Sequence, residues 1–180
     1  MPMNTDFKVL RVDLSTGNIQ TETLSEDFYK RYPGGKALAG YYLLNEMPAN
    51  TDPFDPENML ILAAGLLTGA PVSTTPRYVV AGRSPLTYGV GSSEAGGYWG
   101  PELKQAGYEA IIITGRAEKP VYLWIKDQVV EIRSAENLSG RTTAEAQTKI
   151  REELGDAKVR VLQTGIAGEN LVRFAGLTND

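Results

Sequence analysis

Two segments far apart in the chain carry the same signature: a strand-like run, a tight polar turn and a strand-like run back. Val9-Leu10-Arg11-Val12-Asp13-Leu14 leads through Ser15-Thr16-Gly17-Asn18 into Ile19 to Leu24, and Val121 to Lys126 leads through Asp127-Gln128 into Val129 to Arg133. Such turns join antiparallel strands, whereas parallel neighbours need a crossover of about a dozen residues. After each hairpin the order continues as helix, apolar strand, glycine loop and strand. The spacing therefore predicts an α+β fold of two related lobes rather than a doubly wound parallel sheet. It also predicts an internal repeat over about residues 7–83 and about 119–176 within one domain spanning 1–180.

Between the hairpins, Ser25 with Glu26 and Asp27 reads as a capped helix start, because the serine oxygen accepts orphan amides and acids suit the first turn. Ala37 to Met47 reads as a second helix. The apolar run Met59 to Ala64, the run Arg77 to Ala81 and Tyr108 to Thr114 read as buried strands. Ser84 to Gly97, poor in charge and rich in glycine and serine, reads as a loop leading to a short helix from Pro101 to Ala106. Thr142 to Leu154 reads as a helix closed by Gly155, followed by strands at Val159 to Leu162 and Leu171 to Ala175 around the loop Gly165 to Asn170.

Composition removes whole classes of chemistry. The chain has no cysteine and no histidine. Thiolate ligation of an iron–sulfur cluster, the usual zinc sites and Ser–His–Asp or Cys–His catalysis within these residues are excluded. A net charge of −4, with scattered basic residues, gives no footprint for nucleic acid. The longest apolar run, Met59 to Ala64, is far too short to span a bilayer. The first residues lack the charged and apolar regions of a secretory leader, so the expectation is a cytoplasmic protein.

The stretch from Gly65 to Gly115 is dense in glycine, serine and threonine, yet lies between strands. Glycine lets backbone approach a ligand closely, and exposed amides hold polar or anionic groups. Arg77, at the head of a strand, suits bidentate contact with a phosphate or another planar acceptor edge. The segments PGGKALAGYYLL, LAAGLLTGAP, RYVVAGRSPLT, GGYWGPELKQAGYEAIIITGRAEKPVYLWI and GIAGENLVRFAGLTND resemble, in order and spacing, the aldehyde ferredoxin oxidoreductase family. The resemblance covers nearly the whole chain.

It implies a two-sheet domain forming the base for a tungsten- or molybdenum-bis-molybdopterin cofactor with magnesium. In the whole enzymes an aldehyde or related oxo substrate becomes an acid, and electrons pass through a 4Fe–4S cluster to ferredoxin. By the same resemblance, Arg77 contacts the pterin and the backbone of Gly96 meets it, with Ser93, Ala95 and Gly97 beside them. Glu94 stands where the family usually has an asparagine that helps ligate magnesium between the pterin phosphates. A carboxylate suits magnesium, but its charge sits awkwardly beside phosphate. Lys36 stands where arginine is common, and reads first as a solvated surface lysine. Glu169 and Asn170 read as turn-forming groups before loop-closing ones.

The family continues beyond Asp180 into a glycine- and arginine-rich segment, the cluster cysteines and the acid–base residues of the substrate pocket. The expectation is thus a cofactor-binding amino-terminal domain, catalytically incomplete alone. Its partners would be the remaining domains, ferredoxin and a small aldehyde, with self-association through the uncovered surface. The competing expectation is a non-catalytic interaction or assembly module derived from this domain.

Overall fold

The computed structural model describes residues 6–179; the first residues, on which the reading of a leader rests, and Asp180 lie outside them. A six-stranded mixed sheet forms the centre, in the order β2-β1-β6-β3-β4-β5. Its strands are β1 (Phe7–Asp13), β2 (Asn18–Leu24), β3 (Leu60–Ala64), β4 (Tyr78–Arg83), β5 (Val90–Ala95) and β6 (Tyr108–Thr114). Among the described residues, β1 and β6 are the one parallel pair, and every other named pairing is antiparallel. The fold is α+β, as the hairpins require.

Sequence explains which strands are central. β6 is apolar on both faces, and Ala110, Ile111 and Ile112 are each no more than 2% exposed, as suits a strand covered on both sides. One face carries α1 (Glu26–Arg31) and α2 (Gly35–Asn45), which bury Tyr29, Leu38, Ala39 and Tyr42 against Val9, Ile61, Val79 and Ile112. On the other face, Leu10, Val12, Leu62, Tyr108 and Ile111 meet Leu103 of α3 (Trp99–Gln105). The hairpin of β7 (Val121–Lys126) and β8 (Val129–Ser134) adds Leu123, Ile125, Val130 and Ile132 to that layer. The two hairpins thus join different sheets: β1–β2 extends the central one, and β7–β8 pairs only with itself among the described strands.

α4 (Thr143–Leu154) follows its caps. Thr142 and Glu145 form a reciprocal capping box, and Gly155 closes the helix with φ 63°. Ile150 then packs with Ala135, Leu138 and Val161 in a small satellite core.

Three local expectations differ from the structure. The segment expected as a loop, Ser84 to Gly97, contains β5, whose sequence VGSSEA is mostly exposed. An edge strand held by backbone pairing alone needs no apolar alternation, so periodicity misses it. The strand expected at 159–162 is confined to β9 (Leu162–Thr164), and the one at 171–175 lies instead at β10 (Leu177–Asn179). A one-turn helix, α5 (Ile166–Glu169), comes between them. Leu171 takes φ 55°, and Val172 N donates to Ala167 O at 2.9 Å, so the Leu171–Ala175 segment closes a turn instead of pairing. No helix among the described residues is long and apolar enough to cross a membrane.

Candidate functional site

Strand register brings the glycine-rich segments to one end of the sheet. Ala64 pairs with Tyr78, Tyr78 with Ala95, and Ala63 with Ala110. Gly65, Arg77 and Gly96, each one residue beyond a paired position, therefore line the same sheet end. Gly34 reaches it through a bridge to Gly65. The approach there is close enough that a β-carbon at Gly34 would collide with the Ala64 carbonyl oxygen, so glycine is required by contact as well as by its φ of 69°.

Arg77 is exposed, and its guanidinium has no hydrogen bond or ion pair among the described residues. Its backbone is held firmly. Thr68, 4% exposed, donates its hydroxyl to Arg77 O, and Gly65 N donates to Thr68 Oγ1 at 2.9 Å. The Gly65–Thr68 turn is thereby fastened to the residue that starts β4. Gly96 and Gly97 follow β5, Gly97 with φ 100°. A β-carbon on Gly96 would meet nothing within 4 Å, so open space lies over that backbone.

Directly opposed residues of an antiparallel pair share a face. Val79, which packs toward α2, opposes Glu94; Tyr78 and Val80, on the α3 side, oppose Ala95 and Ser93. Glu94 therefore shares the α2 face with Lys36, whose ammonium lies 2.6 Å from its carboxylate. Lys36, foremost, and then Arg77 hold that carboxyl below its usual range. Arg77, Glu94 and Lys36 thus form one charged group, while Ser93 and Ala95 direct their side chains to the other face. Lys36 is a partner of Glu94 rather than a solitary surface lysine.

Under this surface lies a polar network absent from the sequence expectations. Glu109, 5% exposed, accepts hydrogen bonds from Lys104 Nζ at 2.7 and 2.6 Å and from the Tyr29 hydroxyl. It sits where the β1–β6 register slips, between Lys8 opposite Tyr108 and Val9 opposite Ala110. Burial, and then the Glu109 carboxylate, push the Tyr29 phenol well above its ordinary value. The network ties α1, α3 and β6 together behind the glycine segments. Glu109 follows a strand-starting tyrosine, and its polarity inside an apolar run was the available signal.

The carboxy-terminal residues also reach the site. Asn179 Nδ2 donates to Gly96 O at 2.7 Å, and the Arg160 guanidinium stacks 4.2 Å from the Tyr98 ring. Glu169 accepts from Ser139 Oγ and Gly140 N, both at 2.8 Å, and so closes a loop; Asn170 Nδ2 donates back to Ile166 O within its own turn.

The site's residues fit a flat, polar ligand with acceptor atoms: an exposed cation whose hydrogen-bond donors are unused among the described residues, free backbone and open space over Gly96. They fit a metal ion less well. No group of three or more acidic, histidine or cysteine residues able to hold one occurs among the described residues, and Glu94 is engaged by Lys36.

A family model described as aldehyde ferredoxin oxidoreductase, N-terminal domain, matches residues 9–180. The chain is 49% identical over 173 residues to a tungsten-containing aldehyde ferredoxin oxidoreductase of Pyrococcus furiosus, covering 96% of this chain and 29% of that protein. Its counterpart from Thermococcus kodakarensis is 46% identical over the same share of each chain. The WOR-like subunit of an aliphatic sulfonate oxidoreductase from Pyrococcus furiosus is 36% identical over 186 residues, covering 94% of this chain and 29% of that protein. Among solved structures, the active-site complex BamBC of benzoyl coenzyme A reductase with 1,5 dienoyl-CoA matches with a TM-score of 0.93 and 40% identity, over 96% of this chain and 26% of that chain. The chain spans less than a third of the length of these relatives. By sequence and by fold, it belongs to the aldehyde ferredoxin oxidoreductase family, as the amino-terminal domain.

Proposed function

We propose that this domain forms one wall of a tungsten–bis-molybdopterin site in an aldehyde:ferredoxin oxidoreductase and is catalytically incomplete without the other domains. The observation that carries the proposal is the exposed Arg77 guanidinium, without a hydrogen bond or ion pair among the described residues, beside the open Gly96 backbone, at a sheet end built from Gly34 and Gly65. The bound group would supply the two-electron chemistry that converts an aldehyde, or a related oxo substrate, to an acid.

This chain's residues bind and orient. Arg77 offers a planar fork of donors to a pterin carbonyl or phosphate edge. Gly96 and Gly97 let the ligand approach the backbone, and Ser93 and Ala95 contribute through the edge of β5. The 4Fe–4S cluster, and with it the route to ferredoxin, must be held by residues elsewhere in the protein, since the chain has no cysteine or histidine. Magnesium, which takes six oxygen ligands at short range, would find one side-chain ligand here at most. Glu94 could serve only after releasing Lys36, which would be free to turn to a phosphate.

The test is the tungsten and pterin content of the whole protein purified with and without Arg77→Ala. Loss of a charge-assisted contact should lower occupancy at limiting cofactor by about tenfold. Full occupancy in a folded Arg77→Ala protein would refute the assignment of the site.

A further inference from the structure

We infer that Asn179 is a positioning residue for the cofactor surface: it turns the Gly96–Gly97 peptide so that the Gly97 N–H is presented to the ligand. The inference rests on the assignment of the Gly96–Gly97 segment to that surface. Asn179 Nδ2 donates to Gly96 O at 2.7 Å, and the two residues are 83 positions apart in sequence. A carbonyl only accepts, so the carboxamide nitrogen must face it. No cis peptide occurs among the described residues. In a planar trans peptide the C=O of one residue and the N–H of the next point in opposite directions. With Gly96 O directed into the carboxy-terminal segment, the Gly97 N–H points away from it. Gly97 is exposed, and no described residue accepts a hydrogen bond from its amide. The loop therefore holds a fixed donor with no partner of its own.

The clamp has a firm base. Asn179 pairs with Leu162, and Leu177 with Thr164, so β9 and β10 brace each other. Leu162 and Leu177 pack into the core layer beneath α3. Arg160, two residues before Leu162, covers the Tyr98 ring at 4.2 Å and gives the same loop a second hold. Gly97, at φ 100°, stands in a region that glycine enters about as readily as others. Nothing in its own conformational preference fixes the peptide plane. The hydrogen bond from Asn179 supplies that choice, and a pterin ring oxygen or nitrogen, or a phosphate oxygen, is the acceptor the freed donor suits.

The experiment uses the whole protein purified with its cofactor and compares wild type, Asn179→Asp, Asn179→Ala and Arg77→Ala. Tungsten and pterin per chain, the thermal midpoint, and exchange of the Gly97 amide read by mass spectrometry at single-residue resolution are measured together. Aspartate keeps the size of asparagine but turns an acceptor toward Gly96 O, so it serves even where the alanine variant folds poorly. In wild type the Gly97 amide should be protected. In Asn179→Asp its exchange should rise about tenfold with neighbouring helical amides unchanged, and occupancy at limiting cofactor should fall about fivefold, the value of one hydrogen bond. An unprotected Gly97 amide in wild type, or unchanged exchange and occupancy in both Asn179 variants while Arg77→Ala loses its cofactor, overturns the role of Asn179 and leaves the site standing. Full occupancy in Arg77→Ala as well overturns the site itself.

Discussion

Replacing Lys104 by methionine should expose how much the site's foundation depends on the network behind it. The substitution keeps the aliphatic stem and removes the ammonium that donates twice to Glu109 at 2.7 and 2.6 Å. Glu109 is then a carboxylate with a 6% exposed side chain, retaining only the Tyr29 hydroxyl. Breaking a buried ion pair by removing one partner costs about 3–5 kcal/mol. The Lys104 side chain is 20% exposed, so water replaces part of the lost contact, and about 2–3 kcal/mol is the expected penalty. For a chain of this size that lowers the thermal midpoint by roughly 4–12 °C. The assay is urea and thermal unfolding of wild type, Lys104→Met, Glu109→Gln and the double variant, followed by tryptophan fluorescence and circular dichroism. Glutamine still accepts from Tyr29 but carries no charge, so the double variant should regain about half of what Lys104→Met loses. A Lys104→Met protein within about 0.5 kcal/mol of wild type, or a double variant whose loss equals the sum of the singles, would refute the coupling.

Alkaline pH should destabilise the fold. Tyr29 and Tyr42 are held well above the ordinary value of 10.0, mainly by burial and then by nearby carboxylates. Above about pH 10 the unfolded chain releases protons that the folded chain keeps, so stability falls by up to about 1.4 kcal/mol per pH unit for each tyrosine. Tyr29→Phe should remove its share of that slope, and a flat profile in wild type between pH 9 and about 11 would contradict the cause given. Gly34→Ala should cost more than about 2 kcal/mol in urea unfolding, since a β-carbon meets the Ala64 carbonyl at a φ of 69°; a change under about 0.5 kcal/mol would show that the Gly34–Gly65 approach is not required. The isolated 180-residue chain should bind no iron and leave a viologen dye at background with several aldehydes; turnover above background would show a working active site within these residues.

What could be read from the sequence was what depends on near neighbours. The Ile111–Ile113 run, the turn at Asp127-Gln128 and the Thr142–Gly155 caps each show their state through residues a few positions apart, and each was observed. β5 was hidden because its VGSSEA sequence owes its extended form to pairing with β4, not to its own side chains. The displacement of β10 has a similar origin: Leu171 to Ala175 looks strand-like, but the α5 turn takes its amides first. At the site, Arg77 and the Gly96–Gly97 pair stood out by residue type and by resemblance. Lys36 with Glu94, Tyr29 with Glu109 and Asn179 with Gly96 did not, because each pair meets only after the sheet has assembled. Ser93 and Ala95 adjoin Glu94 in sequence, yet strand alternation sends their side chains to the opposite face.

A structure of the whole protein with the proposed tungsten–pterin group bound would show which end of the sheet the group occupies. The group should lie over the sheet end formed by Gly65, Arg77, Gly96 and Gly97, with the Arg77 guanidinium and the Gly97 N–H each about 3 Å from a pterin or phosphate acceptor. A group seated instead at the other end of the sheet, near Asp13 and Thr114, or one that leaves Arg77 without a contact, would contradict it.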